Sequence, residues 1–250
     1  MSMNPFGDAF ANDTGKEVAG DKDTLGGFRI HDSGLYEVTI ETVYAGKSDG
    51  GANSVTFVTK MADGTAFTWT EWVTAGIAKG GKSFTVNDKG EAQYLPGYNR
   101  ANAIAMLTLE KEFKALTWAP GIIKKYSKAA QAEVNTEVAL CHELHGKKII
   151  IGLQKQIRNK QEQNKTTNKW EDTNEKREQN EVDKIFQVGS RRTLQEALAK
   201  MQEGEFADKW LKANDKPRDM FKQVANAPAA GSGAPGSAGG SDKPTTSLFS

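Results

Sequence analysis

Between residues 35 and 44 the chain alternates, with Tyr36, Val38 and Ile40 on one face and Glu37, Thr39 and Glu41 on the other. Period two with β-branched and aromatic residues predicts a strand. A second strand is predicted over 53–60, closed by the turn signal Ala62-Asp63-Gly64. A third is predicted over 65–73, with Phe67, Trp69, Glu71 and Val73 on one face. Three strands joined by short turns read as an antiparallel meander. After a Gly- and Lys-bearing excursion over 76–95, the spacing of Ile104, Leu107, Leu109 and Phe113 predicts a helix with Asn99 as its N-cap. Pro120-Gly121 breaks the chain. A fourth strand is predicted over 147–158, carrying Ile149, Ile150, Ile151 and Leu153, and a fifth over 182–188. Between them, 159–180 is polar and reads as a long loop, with Trp170 its single large apolar residue. Helices are predicted over 193–201, capped by Thr193 with Leu194, Leu198 and Met201 as a buried stripe, and over 206–212.

The expected class is β-rich α+β: a five-stranded oligonucleotide-binding-like (OB-like) barrel with a helix between strands three and four, followed by C-terminal helices. In that fold the loops joining strands one to two and four to five carry ligand. Here the first is Gly46-Lys47-Ser48-Asp49-Gly50-Gly51 and the second is the amide-rich 159–180. Fold alone does not give function, so the residues must.

Composition divides the chain. Residues 1–27 hold five acids and two lysines and read as a flexible acidic arm. Residues 28–214 form the folded body. Residues 215–250 read as a flexible tail, because 18 of the last 25 residues are Gly, Ala, Pro or Ser and bury too little to offset ordering entropy. With 250 residues, 37% of them hydrophobic, the body can build a real core. A net charge of +1 excludes a histone-like protein, so any nucleic-acid surface must come from local sorting of charge. One cysteine, Cys141, excludes an internal disulfide framework. No apolar run approaches the twenty residues of a membrane-spanning helix, and no secretory leader is visible. The expectation is a cytoplasmic protein with no membrane partner.

Several motifs carry less than they suggest. Gly76-Ile77-Ala78-Lys79-Gly80-Gly81-Lys82-Ser83 matches the phosphate-loop pattern, which needs a helix directly after it. The next residues, Phe84-Thr85-Val86, read as extended, and no later apolar strand ends in Asp, so ATP hydrolysis is the minor reading. Lys79 and Lys82 suit contacts to nucleic-acid phosphates better. Cys141-His142-Glu143-Leu144-His145 offers zinc ligands, but His31 is the only other histidine and a structural site needs four ligands. Asn164-Lys165-Thr166 fits the glycosylation triplet, which without a secretory leader carries nothing. No catalytic constellation emerges; the chain reads as a non-enzyme without cofactor or metal.

Basic and aromatic interleaving is the more informative signal. Over 145–192 twelve Lys and Arg stand against seven acids, net +5, while 1–27 is net −3. Cations that track a backbone and aromatics that stack on bases make a single-strand site. The candidates are Lys155, Arg158, Lys160, Lys165 and Lys169 around Trp170, with Lys47, Lys79 and Lys82 from the loops and Tyr36, Phe57, Trp69 and Trp72 from the first three strands. Trp69 and Trp72 fall on opposite faces, so one belongs to the core, and periodicity does not say which aromatics face outward.

The ordered segments Gly34-Leu35-Tyr36-Glu37-Val38-Thr39-Ile40, Trp72-Val73-Thr74-Ala75-Gly76 with Lys79-Gly80, Tyr94-Leu95-Pro96-Gly97-Tyr98-Asn99, Leu144-His145-Gly146-Lys147, Ile151-Gly152-Leu153-Gln154-Lys155-Gln156 and Asn180-Glu181-Val182-Asp183-Lys184-Ile185-Phe186 resemble a family of bacteriophage single-stranded DNA-binding proteins. The likeness spans 33–212. It implies a chain that coats single strands during phage replication, recombination or repair in the infected bacterial cytoplasm, working as a homo-oligomer. It also implies an alternative, a single-strand-binding cofactor that recruits or regulates a phage RNA polymerase in transcription; the partners expected beside DNA are a phage or host polymerase or other replication proteins. The chain departs from the common acidic C-terminal tail: Asp242 and Lys243 leave its own tail neutral, and Leu248-Phe249 sits near the tip.

Overall fold

A computed structural model describes residues 30–127, 129–164, 166–167 and 169–224. The expected arm and most of the expected tail therefore lie outside the described residues.

The alternating segments become β1 (Gly34–Lys47), β2 (Asn53–Met61) and β3 (Ala66–Trp72), an antiparallel meander in which Val38 pairs with Met61 and Phe57 with Trp69. A short ribbon, β4 (Phe84–Val86) and β5 (Ala92–Tyr94), leads into α1 (Pro96–Leu109). The N-cap is Leu95 rather than Asn99, because Pro96 presets the first helical residue and needs no amide partner there. Gly97 lies so close to the Trp72 carbonyl that a Cβ would collide with it, and α1 docks there against the end of β3.

Next come β6 (Ala119–Ser127) and β7 (Ala132–Leu140), a hairpin absent from the sequence reading; Pro120 and Gly121, read as a break, sit at its start. Two long strands come after it, β8 (Lys148–Gln163) and β9 (Trp170–Phe186). The expected loop over 159–180 is therefore mostly paired strand, down to Gln163 opposite Trp170. Its side chains are polar on both faces, which removes the period-two signature. After β9 come α2 (Leu194–Leu198), α3 (Phe206–Ala213) and β10 (Arg218–Asp219). Thr193 caps α2 in a full capping box with Glu196, as expected. The expected buried stripe fails, because Leu198 is 64% exposed and α2 ends after little more than one turn.

One eight-stranded sheet runs β10-β8-β1-β2-β3, with β9 on β8 and the β6–β7 hairpin attached through β7 to β1. Among the described residues β3 pairs only with β2 and β9 only with β8, so the sheet is not a closed barrel. The architecture is mostly β, with few helices. Its core joins Val38, Ile40, Val55 and Phe57 of the meander to Ile149, Ile151 and Leu153 of β8 and to Ala101, Ile104 and Ala105 of α1. A smaller cluster, Phe186, Ala207 and Trp210, seats α3 on β9. No described helix is long and apolar enough to cross a membrane.

Candidate nucleic-acid interface

β3 sorts its two tryptophans. Trp69 points inward, its ring stacked on Phe57 with centroids 5.0 Å apart and its Nε1–H donating to Glu71 at 3.1 Å. Phe57 is 0% exposed, which corrects its place among the candidates: a fully enclosed ring has no face for a base. Tyr36 is half-buried, edge-on to His31, and its hydroxyl donates to the Asp32 carbonyl at 2.8 Å. Trp72 points outward and is 49% exposed, beside the exposed Thr68 and Thr70 on the same face.

A groove runs between β3 and β9. One half, about 650 Å³, is lined by 65–69 of β3 and its turn and by 177–180 of β9, with Ile30 and His31 at its mouth. The other half, about 580 Å³, is lined by 68–72, by 179–182, by Arg100 and Arg158, and by the start of α1. The two strands thus flank the groove in the same direction. Arg100 clamps Glu71 there with two hydrogen bonds of 2.7 Å. Burial pushes the Glu71 carboxyl above its ordinary value, and Arg100 offsets only part of that. Burial works against the guanidinium as well, but the Glu71 carboxylate overrides it and holds Arg100 above its ordinary value. The clamp is therefore a fixed, neutral pair rather than a free cation.

The β8–β9 hairpin carries the basic cluster, and most of it is spent. Lys155 reaches Glu178 at 3.0 Å and Asp32 at 3.8 Å, Arg158 reaches Glu181 at 2.9 Å, and Lys160 bridges Glu175 at 2.8 Å and Glu162 at 3.1 Å. These three candidates remain at the surface, but their charges are compensated. Lys165 lies outside the described residues. Lys169 and Trp170 stand at the hairpin tip, Lys169 exposed and Trp170 60% exposed. Arg177, which the sequence reading counted but did not select, is exposed and forms no ion pair among the described residues. It lines a third hollow, about 290 Å³, with Arg158, Asn159, Gln161, Asp172, Gln179, Met220 and Lys222. Gln179 borders all three hollows, so they form one continuous track from Trp72 along β9 to the hairpin.

The chain after α3 helps build that track. β10 pairs in parallel with β8, Arg218 opposite Gln156 and Asp219 opposite Ile157. Asn159 then grips Lys222, donating to its carbonyl at 2.7 Å and accepting from its amide at 2.9 Å. Asn174 grips Val224 in the same way, at 3.1 and 2.8 Å. Asn180 repeats the device on His31, at 2.7 and 2.8 Å. The segment expected to be flexible from 215 is therefore bound through 224. Composition hid this because the partners are peptide groups, which any sequence supplies.

Lys47, Lys79 and Lys82 are exposed at the opposite end of β3 from His31, where the Ile77 amide donates to the Gly50 carbonyl at 2.9 Å. Gly76–Ser83 forms a 3-10 turn at Ile77–Lys79 succeeded by β4, so the strand–loop–helix setting of a phosphate loop is not present. Lys82 Nζ lies 5.4 Å from the Phe84 ring centroid. No group of three metal-ligating side chains occurs among the described residues. Cys141 is buried, which pushes its thiol up, and His145 Nδ1 bonds the Glu41 carbonyl at 2.6 Å.

Sequence reasoning missed Arg177, Gln179, Arg100 and Lys222. Strand register and a bound C-terminal segment bring them together, and neither leaves a local sequence signal. Compared with known proteins, the chain matches no protein-family model and no curated sequence.

Proposed function

We propose that this chain binds single-stranded DNA with weak sequence preference, along the track from the outer face of β3 through the β3–β9 groove to the hairpin tip. The carrying observation is the make-up of that track: Trp72 exposed at one end, Arg177 and Lys222 along it with side-chain amides and Asp172 between, and Trp170 exposed at the hairpin tip two residues before Asp172. Exposed indoles stack on any base at about 1–3 kcal/mol each, which gives affinity without sequence reading. Amides and cations hold phosphate and sugar groups, positioning the strand without specifying it. Setting aside the β6–β7 hairpin, the sheet order β3-β2-β1-β8-β9, with α1 falling in the chain between β3 and β8, supports an OB-like reading in which the gap between β3 and β9 is an unsealed barrel seam. The role that fits is coating single strands during phage replication and recombination, with several copies of the chain on one strand.

The test is a fluorescence titration of the full chain with oligo-dT of several lengths, at two salt concentrations, against duplex of equal length. Single strands should bind tighter, quench tryptophan fluorescence and weaken steeply with salt, because phosphate contacts release counterions. Equal affinity for duplex, or binding indifferent to salt, would overturn the proposal.

A further inference from the structure

We propose that the β3–β9 groove is also a docking site for an extended acidic polypeptide, and that residues 1–29 of this chain are its occupant. Three observations lead there. The first is backbone supply. Among the described residues β3 and β9 each leave one edge without a partner strand, and the two edges flank one groove in the same direction. Such edges are templates for an added strand, which binds through main-chain hydrogen bonds that need no particular sequence.

The second is where the chain enters. Ile30 and His31 already line the mouth of the groove. Asn180 of β9 bonds both the amide and the carbonyl of His31, the pair of bonds a neighbouring strand would make. The His31 ring stands edge-on to Phe67 of β3, centroids 6.2 Å apart. His31 is therefore held between the two strands, and 29 residues precede Ile30. An extended chain of that length reaches roughly 95 Å, several times the ~23 Å that the seven residues of β3 offer.

The third is charge. Residues 1–27 hold Asp8, Asp13, Glu17, Asp21 and Asp23 against Lys16 and Lys22. Arg177 borders the groove and Lys222 the hollow beyond it, and neither forms an ion pair among the described residues; against them stands one acid without an ion pair, Asp172, while Glu71, Glu178 and Glu181 are already paired. A tethered acidic segment needs little intrinsic affinity, since its effective concentration is on the order of millimolar. The competition, unlike the docking itself, rests on the groove also taking DNA: segment and strand then compete, and a single strand must displace the segment to bind.

The test uses the full chain and a full-length variant with the five acids neutralised (Asp→Asn, Glu17→Gln). Neutralisation strengthens binding of any anion through net charge, so the deciding readout is amide hydrogen exchange without DNA. In the parent chain the free-edge amides of β3 and β9 should exchange about 5- to 10-fold more slowly than in the variant. Salt at 0.5 M should bring the parent to the variant's rates, a check that needs no mutation. Identical exchange in parent and variant, with no response to salt, overturns the docking. If exchange responds but oligo-dT leaves those amides untouched while still binding, docking stands and the DNA site proposed above is what fails.

Discussion

Trp69 and Trp72 stand three residues apart on one strand and should fail in opposite ways. Trp72→Ala removes a ring that is about half covered. A Trp side chain presents roughly 220 Å², so some 110 Å² of burial is lost, at most about 2–3 kcal/mol at 25 cal/mol per Å² and less for a compact unfolded chain. The α1 contact survives, because Gly97 packs on the Trp72 backbone and not on its ring. Trp69→Ala opens a cavity against Phe57 and strips Glu71 of a donor, a loss of about 3–5 kcal/mol. For single-stranded DNA the order reverses. Trp72→Ala should weaken oligo-dT binding about 5- to 150-fold at 25 °C, the range for one stacked base, while Trp69→Ala, whose ring borders the groove but is held against Phe57 and Glu71, should weaken it less as long as the chain is folded. Thermal unfolding and fluorescence titration on both variants decide it. A Trp72→Ala protein that binds within twofold of the parent, beside a Trp69→Ala protein that binds poorly yet melts normally, would refute the assignment of faces.

Trp170→Ala should cost roughly 1–3 kcal/mol of single-strand affinity and shrink the fluorescence quench, with a melting temperature close to the parent's, because the hairpin tip adds little to the core. Glu196→Gln should lower stability by about 1 kcal/mol, a few degrees in melting temperature, since this carboxylate caps α2 and also accepts the Glu205 and Phe206 amides at the start of α3. Burial works against that carboxylate, yet the backbone donors outweigh it and hold its pKa below the ordinary value. Its contribution is therefore complete above the unfolded glutamate pKa and fades as pH falls through the lower folded one; the Gln variant should lack that part of the acid limb in melts from pH 6 to 3. Truncation after Val224 should leave the melting temperature unchanged, whereas truncation after Pro217 should lower it by removing β10 and the Asn159 and Asn174 grips.

In the meander β1 was legible because one face is buried, with Val38 and Ile40 pointing inward at spacing two; β2, buried on both faces from Ser54 to Phe57, was legible from its β-branched residues and the turn signal after it. The helix was legible from Ile104 and Leu107, and the α2 cap from Thr193 and Glu196. The outer half of the β8–β9 hairpin was not, since Lys160, Glu162, Glu175 and Arg177 are polar whichever way they point. Charge counting failed for a related reason. The excess near Trp170 is real in the sequence, but register sets Lys155 beside Glu178 and Lys160 beside Glu175, partners 23 and 15 positions away along the chain. Arg177 escapes that pairing, and no rule of local sequence singles it out from Arg158. Of the aromatic candidates, alternation separated Trp69 from Trp72, but only the covering of β2 shows that Phe57 and Trp69 share the inside.

The three asparagine grips have a chemical consequence. Each works because a primary amide offers one donor and one acceptor at the spacing of a peptide bond. Deamidation replaces the donor with a second acceptor, which would face the carbonyl of Lys222, Val224 or His31 and repel it. Both ends of the described chain are fastened to the hairpin in part by this one functional group, the C-terminal one by β10 as well, so slow chemical ageing of the protein would loosen both ends while leaving its apolar core intact.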